Sequence, residues 1–465
     1  MSDLSITALK LPFRSTGVKL IVVCFLALVM TIPALFVWGL IDDRSQRADE
    51  VVKEVSTSVG GPQAFMGPVL AIPYTLPARG TKAESHGVYI VFPAQTEAVV
   101  NTSTEVRHRS LFKVPAYRSQ IEYHASFDLA GVPAMAPENA VFDWTRAEFL
   151  VGVTDSRGAK SDISLIAGNN SFSLGPARVL SGSTMNLPPV VDEQVTFFGA
   201  PARGMAQPDA KFEVNARLQF SGAQRLSFLA SGRTTTVEMK GDWPHPSFGG
   251  NFLPTTQNIT PSGFEATWSV PFIARGVPAE GTSEILSRLG RTAFSVSFVE
   301  LADPYQSVTR SLKYAVLFIG LVFLSYFLFE VTSGRRVHPA QYILIGVAQL
   351  IFYLLLLSIA ERIGFDLAFL IAAAATVSLI SLYATWVFES KVYGLRALGL
   401  FSALYGLIYL LLRLEDEALL VGAIASFLAI AAVMYLTRRM DWYGAPPVST
   451  PVPAPAVGGG YFSDR

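Results

Sequence analysis

The sequence predicts an α-helical membrane bundle of six transmembrane helices, one N-terminal and five C-terminal, with a large inserted mainly-β, sandwich-like domain on the translocated side. Three observations predict it: five long apolar runs within residues 311–437, a sixth at residues 20–41, and period-two patterning between them. The loops between the C-terminal runs also alternate in charge. That alternation sets a topology.

The N-terminal run, residues 20–41, is preceded by Lys10, Arg14 and Lys19 and followed by Asp42 and Asp43. Lys and Arg stay on the cytoplasmic side of a bilayer, so residues 1–19 are read as cytoplasmic. A cleaved secretory signal is the competing reading. Such signals have an apolar region of about 7–15 residues and a small-x-small cleavage site, whereas this run is longer and closes with Phe36, Val37, Trp38, Gly39 and Leu40. A retained anchor fits better. Pro33 removes one backbone donor and predicts a kink or an unwound turn.

Six crossings with both termini inside leave residues 42–310 as one translocated segment, large enough for a core of its own. Its apolar residues alternate with polar ones. Ile121, Tyr123, Ala125, Phe127 and Leu129 form one such beat, Phe212, Val214, Ala216, Leu218 and Phe220 a second, and Phe264, Ala266, Trp268, Val270 and Phe272 a third. Each predicts a half-buried strand. Shorter beats lie at residues 89–92 and 294–298. Residues 131–139 and 175–209 carry prolines and glycines and predict loops of antiparallel sheets. Helix is expected only at residues 44–58. One domain is the first reading, and a divide near residue 200 the second. The single cysteine, Cys24, lies in the anchor, so the domain contains no disulfide and relies on burial.

In the C-terminal third, uncharged stretches at residues 339–360, 367–388 and 418–437 approach the roughly 20 residues that a helix needs to cross hydrocarbon. Residues 314–329 and 397–412 are shorter, but Lys313 and Arg413 have stems long enough to snorkel. In chain order the loops carry Arg335 and Arg336, then Glu361 and Asp366, then Lys391 and Arg396, then Glu415, Asp416 and Glu417, then Arg438 and Arg439. Every second loop is therefore cytoplasmic. Residues 438–465, rich in Pro, Ala and Gly, predict a cytoplasmic, largely disordered tail.

The chemistry is sparse. The charges balance at 36 basic and 36 acidic residues, which gives no nucleic-acid surface. The five histidines are His86, His108, His124, His245 and His338, and no two lie closer than 16 positions, so no local metal motif exists and no metal or cofactor is expected. His124 holds a polar strand position and should face solvent. No nucleophile elbow or phosphate loop is present. Carriers place ionisable groups at membrane depth, but Glu330, Glu361, Arg362, Asp366, Glu389 and Arg413 all fall near span ends, where anchoring and snorkelling explain them. Ser325, Tyr353, Ser358, Thr376, Ser378, Ser381 and Tyr383 lie inside the spans and are read as helix-to-helix or self-bonding hydroxyls. Ala368, Ala372 and Thr376, and Gly399 with Ala403, are read as small-residue packing faces.

Two clusters remain as candidate functional or structural motifs. Trp243, Pro244, His245, Pro246 and Phe248 follow a strand-like run at residues 235–239, and their bland reading is a rigid turn capping the core. His338, Pro339, Gln341 and Tyr342 open the third span, where Pro339 suits a first helical turn and Tyr342 an interfacial belt. Glu330 and Glu361 join the candidates.

These clusters carry a family resemblance. Gly60-Gly61-Pro62-Gln63, Gly67-Pro68 with Ala71-Ile72-Pro73, and Trp243-Pro244-His245-Pro246-Ser247-Phe248 with Phe252-Leu253-Pro254 resemble the inner-membrane CreD family, described as cell envelope integrity proteins. So do Lys313-Tyr314, Phe329-Glu330, His338-Pro339 with Gln341-Tyr342, the segment from Phe352 to Ser358, and Asp441-Trp442-Tyr443. Glu361-Arg362 departs from the Glu-His pair that the family leads one to expect, which weakens proton handling there. The resemblance implies a multi-pass inner-membrane protein of Gram-negative bacteria with a periplasmic domain, tied to envelope integrity and envelope stress. It supplies no catalytic residues.

Three readings follow. The first is a non-enzymatic envelope maintenance protein that meets the lipid bilayer and binds an envelope component or a protein partner through its β-domain. A transporter or lipid-handling protein is the alternative. A membrane-embedded enzyme would need a polar site, for which His245 and His338 are the candidates.

Overall fold

The computed structural model describes residues 16–79, 83–109, 112–180, 185–187, 191–298, 304–414 and 418–438. Lys10, Arg14, the acidic loop Glu415, Asp416 and Glu417, the Asp441-Trp442-Tyr443 motif and the tail from Arg439 onward lie outside the described residues. The chain divides into a helical unit, Met1–Arg44 with Pro304–Arg465, and a β unit, Ser45–Asp303.

Helices α1 (Thr16–Val29) and α2 (Thr31–Ser58) open the chain. The expected break at Pro33 is displaced to a turn at Met30, and the helix expected at residues 44–58 is the continuation of α2. The reason is local. Pro33 sits in the first turn of α2, where a missing N–H is tolerated, and Met30 and Ala34 still donate to the Leu26 and Met30 carbonyls at 3.0 and 3.2 Å.

Among the described residues of the β unit, the strands form one sheet of 11 and one of 8. The first runs in the order Met185–Leu187, Val191–Pro201, Glu148–Val153, Gln63–Leu76, Arg225–Leu229, Ala293–Phe298, Pro246–Gly250. The second runs Thr256–Thr260, Gly263–Val270, Thr234–Gly241, Gln95–Arg109, Phe112–Asp128, Lys211–Ala223, Ser164–Ala167, Asn170–Ser173. Aromatic pairs fill the layer between them. Phe65 meets Phe220 at 5.2 Å, Phe127 meets Phe149 at 5.8 Å and Trp268 stacks on Phe294 at 5.5 Å.

The alternating segments are strands, with Ile121 opposite Leu218 and Trp268 opposite Val237. His124 is exposed, its Nδ1 2.7 Å from Asn215 Oδ1. Three expectations fail, and one alternative is narrowed. Phe272 does not end the third strand: Pro271 has no N–H to continue the ladder, and Phe272 opens a one-turn helix, α3 (Phe272–Arg275). The sheets are not wholly antiparallel, because Gln63–Leu76 pairs in parallel with Arg225–Leu229 and Thr234–Gly241 with Gln95–Arg109. Long intervening sequence supplies the crossovers that parallel pairs need. Residues 175–209 are not one loop, since Val191–Pro201 is a strand that buries Val195, Phe197 and Ala200. That strand straddles residue 200, and both sheets mix strands from before and after it, so the chain does not divide there.

Gln63–Leu76 escapes period-two reading because it is covered on both faces. Phe65, Leu70 and Ile72 enter the core between the sheets, while Ala64, Met66, Val69 and Ala71 enter a second core closed by Ile285, Leu286 and Leu289 of the 3-10 segment Ser283–Thr292. Doubly buried strands read as continuous apolar runs. The Gly60-Gly61-Pro62-Gln63 motif anchors this strand. Gly60 has φ +106°, and a Cβ there would lie 2.7 Å from Gly158 Cα and 2.8 Å from the Ser221 carbonyl, so only glycine fits.

The helical unit continues with α4 (Pro304–Lys313), α5 (Ala315–Ser333), α6 (Pro339–Ile363), α7 (Phe365–Val387), α8 (Lys391–Arg413) and α9 (Ala418–Thr437). The two runs that looked short are full helices. α5 extends to Ser333 and α8 begins at Lys391, because Glu330, Lys391 and Arg396 lie within the helices instead of bounding them. Ala368, Ala372 and Thr376 are buried on α7 as packing predicts. Gly399 and Ala403 are exposed: the inward stripe of α8 is Gly394, Ala397, Phe401, Tyr405 and Ile408, on the other face.

Candidate functional site

The turn between α5 and α6 gathers more polar chemistry than its sequence suggests. His338 is the N-cap of α6: its Nδ1 accepts from the Ala340 N–H at 3.2 Å, and Gln341 Oε1 accepts from the His338 N–H at 2.9 Å. With Pro339 in the first turn, this is a capping box that starts the helix sharply. The box aims the next turn inward. Tyr342 is therefore buried, against the interfacial position expected, and its O–H donates to Glu330 Oε2 at 3.0 Å.

Glu330 is also not a snorkelling end residue. It is 5% exposed, and its Oε1 accepts from the Val337 N–H at 3.0 Å and from Lys19 Nζ of α1. One carboxylate thus ties α1, α5, α6 and the α5–α6 turn. Burial of a carboxylate is costly unless it is paired and hydrogen-bonded, and here three donors meet it. Beside this node lies a cavity of about 170 Å³ lined by Val18, Lys19, Val22, Val23, Leu26, Glu330, Val337, Pro339 and Tyr342. Nearby, Arg335 pairs with Glu389 at 2.6 Å, which raises the pKa of Arg335 and lowers that of Glu389.

At the other end of α6, Glu361 Oε1 accepts from the Tyr305 O–H at 2.8 Å. Nineteen residues of helix separate Tyr342 from Glu361, about 28 Å of rise, so the two carboxylate sites are separate. Between them α6 buries Gln349 and Tyr353, whose polar side-chain atoms meet no hydrogen-bond partner among the described residues, and α7 buries Ser381 in the same state. Each lies where hydrocarbon offers no substitute for water.

In the β unit the register assembles a second polar feature. Asn101 stands opposite Lys240, Lys240 opposite Glu265, and Glu265 opposite Asn258. This row crosses four strands, about 14 Å at the usual strand spacing, and floors a hollow of about 450 Å³ rimmed by Asp242, Thr260 and Ser262. Lys240 pairs with Glu265 at 2.9 Å, which raises the Lys240 pKa. Asp242 Oδ1 accepts from the Thr104 N–H and O–H at 2.8 and 2.7 Å. No alternation rule finds such a row, because it depends on register between strands up to 164 positions apart, from Asn101 to Glu265.

The whole-chain comparison decides the family. A family model described as inner membrane protein CreD matches residues 15–443. The chain belongs to the CreD family. It is 29% identical over 431 residues to the inner membrane protein CreD of Escherichia coli (strain K12), an alignment covering 90% of this chain and 91% of that protein. This is accordingly an inner-membrane protein with several membrane-spanning helices, and CreD is a membrane-protein family, not a known enzyme family.

The segments that carried the resemblance to CreD now have places. Trp243, Pro244 and His245 lead the chain from the second sheet to Pro246–Gly250, an edge strand of the first sheet paired with Ala293–Phe298. An edge admits Pro246 because it need not donate. Trp243 Nε1 donates to the His245 carbonyl at 3.1 Å, its ring meets Phe298 edge-on, and Phe248 packs on Phe264 and Trp268. His245 is exposed in the β unit, whereas His338 caps a helix of the helical unit. Among the described residues no group of His, Cys, Asp and Glu has metal-binding geometry.

Proposed function

We propose that this CreD family member is a non-enzymatic envelope maintenance protein whose β unit lies in the periplasm and binds an envelope component or a protein partner. The alternating loop charges support the orientation, since Arg335, Arg336, Lys391 and Arg396 mark cytoplasmic ends. The observation that carries the binding reading is the polar hollow floored by Asn101, Lys240, Asn258 and Glu265. Its amides, hydroxyls and paired charges offer donors and acceptors in a row, which suits a polar partner lying across the strands. In this reading the protein contributes to envelope integrity and the envelope stress response by holding that partner at the membrane.

Photo-crosslinking in living cells tests it. A crosslinker at Asn258 or Ser262 is expected to give a discrete adduct that is missing when the crosslinker sits at exposed Met135. The same unspecific smear from all three positions would defeat the binding reading. A second reading, transport or lipid handling, is favoured by Gln349, Tyr353 and Ser381, whose buried polar atoms are unpartnered inside the bundle. Reconstituted vesicles would reveal it as proton flux or lipid flipping above that of protein-free vesicles.

A further inference from the structure

The cavity beside Glu330 has two kinds of wall. Val18, Val22, Val23 and Leu26 of α1, with Val337 and Pro339, make it apolar, while Lys19 and Glu330 add one ion pair to its lining. It sits where helices end: at the first turns of α1, the last turns of α5 and the capped start of α6. The α1 wall from Val18 to Leu26 runs about 12 Å along the helix. That is the depth over which a lipid passes from headgroup to chain.

Glu330 does not exhaust Lys19. The carboxylate already accepts from the Val337 N–H and the Tyr342 O–H, and the Lys19 side chain is 33% exposed with three donors on its ammonium. An anionic oxygen can therefore join Lys19 without displacing Glu330. Arg336, one residue before the cavity-lining Val337, is exposed at the same end. Lys391 and Arg396 of α8 are exposed as well. Basic sites between helix ends attract anionic headgroups at about 1 kcal/mol per cation, and the apolar wall below rewards a hydrocarbon chain.

We propose that this cavity is a binding site for an anionic phospholipid, its phosphate on Lys19 and Arg336 and the upper part of one acyl chain against Val18, Val22 and Leu26. The bilayer supplies the ligand, and the site selects it by charge. The inference concerns the bundle alone and stands whether or not the β unit binds a partner.

Native mass spectrometry of the purified full chain, given equal amounts of phosphatidylglycerol and phosphatidylcholine, tests the site. The wild type is expected to retain phosphatidylglycerol preferentially. Lys19→Gln should reduce that preference roughly fivefold, Lys19→Arg should keep it, and Val22→Trp, which fills the cavity, should lower retention of both lipids. Unchanged melting temperatures would show that the variants fold. Should Lys19→Gln unfold the bundle, Arg336→Gln replaces it, with the same loss of preference expected. Equal retention of the two lipids by the wild type, or full retention by Val22→Trp, would overturn the proposal.

Discussion

Gln63 in the β unit and Gln349 in the helical unit are both almost wholly removed from solvent, 1% and 0% exposed, and they are treated in opposite ways. Gln63 Nε2 donates to the carbonyls of Gly60 and Asp155, and its Oε1 accepts from Thr154 Oγ1 and the Asp155 N–H. Gln349 has no partner at either atom among the described residues. The difference lies in the backbone around each. Turns at the edge of a β sandwich leave carbonyls and N–H groups that a side chain must satisfy, whereas a membrane helix satisfies its own backbone internally and leaves a buried amide nothing to bind. A buried glutamine is thus a structural clasp in one unit and an unspent donor and acceptor in the other.

The largest effect expected from this contrast is on Gln63. Gln63→Leu keeps the volume but strands the Gly60 carbonyl and the Asp155 N–H, so we expect a loss of about 3 kcal/mol. Urea unfolding of the full chain in detergent measures it. A loss below about 1 kcal/mol would mean that the turn relaxes and the clasp is incidental.

The same contrast governs what could be read from the sequence. Periodicity exposes a strand with one wet face, as at Ile121 to Phe127, and a run of apolar residues exposes a membrane helix. It cannot show a strand buried on both faces, which is why Gln63–Leu76 carried no beat, nor a strand such as Val191–Pro201 whose neighbouring prolines mimic a loop. The sites were less legible still. Lys19 and Glu330 are 311 positions apart, and at the end of an apolar run a charge that snorkels and a charge that is buried look identical. The His338-Pro339 and Gln341-Tyr342 motif was visible as a helix start, but only the fold shows that its tyrosine turns inward to Glu330. In the β unit, Asn101, Lys240, Asn258 and Glu265 become neighbours only once register is known.

Gln349→Leu sharpens the comparison from the other side. Removing an unpartnered amide from an apolar surrounding should leave stability unchanged or raise it by about 1 kcal/mol. Thermal melting of the full chain in detergent reads this. A loss above about 2 kcal/mol would instead show that the amide is bonded inside the bundle, as water held between helices would do, and would move the balance toward transport.

A further effect of about the same size comes from a residue that breaks the pattern within the β unit. Tyr123 is fully buried in the layer between the sheets, 2% exposed, yet its hydroxyl has no partner among the described residues. Burial pushes its pKa well up. The unfolded chain ionises tyrosine near 10, while the folded chain holds the proton, so the group's contribution is constant below about pH 10 and stability falls as pH rises above it. One unit above that value the loss is about 1.4 kcal/mol. Tyr123→Phe should therefore raise stability by about 1 kcal/mol at neutral pH, because it removes an unsatisfied hydroxyl, and should flatten the decline between pH 10 and 11. Urea unfolding of both proteins across that range would check the two effects together. A destabilised Tyr123→Phe would mean that the hydroxyl does find a partner, and the clasp rule drawn from Gln63 would then extend to the centre of the sandwich.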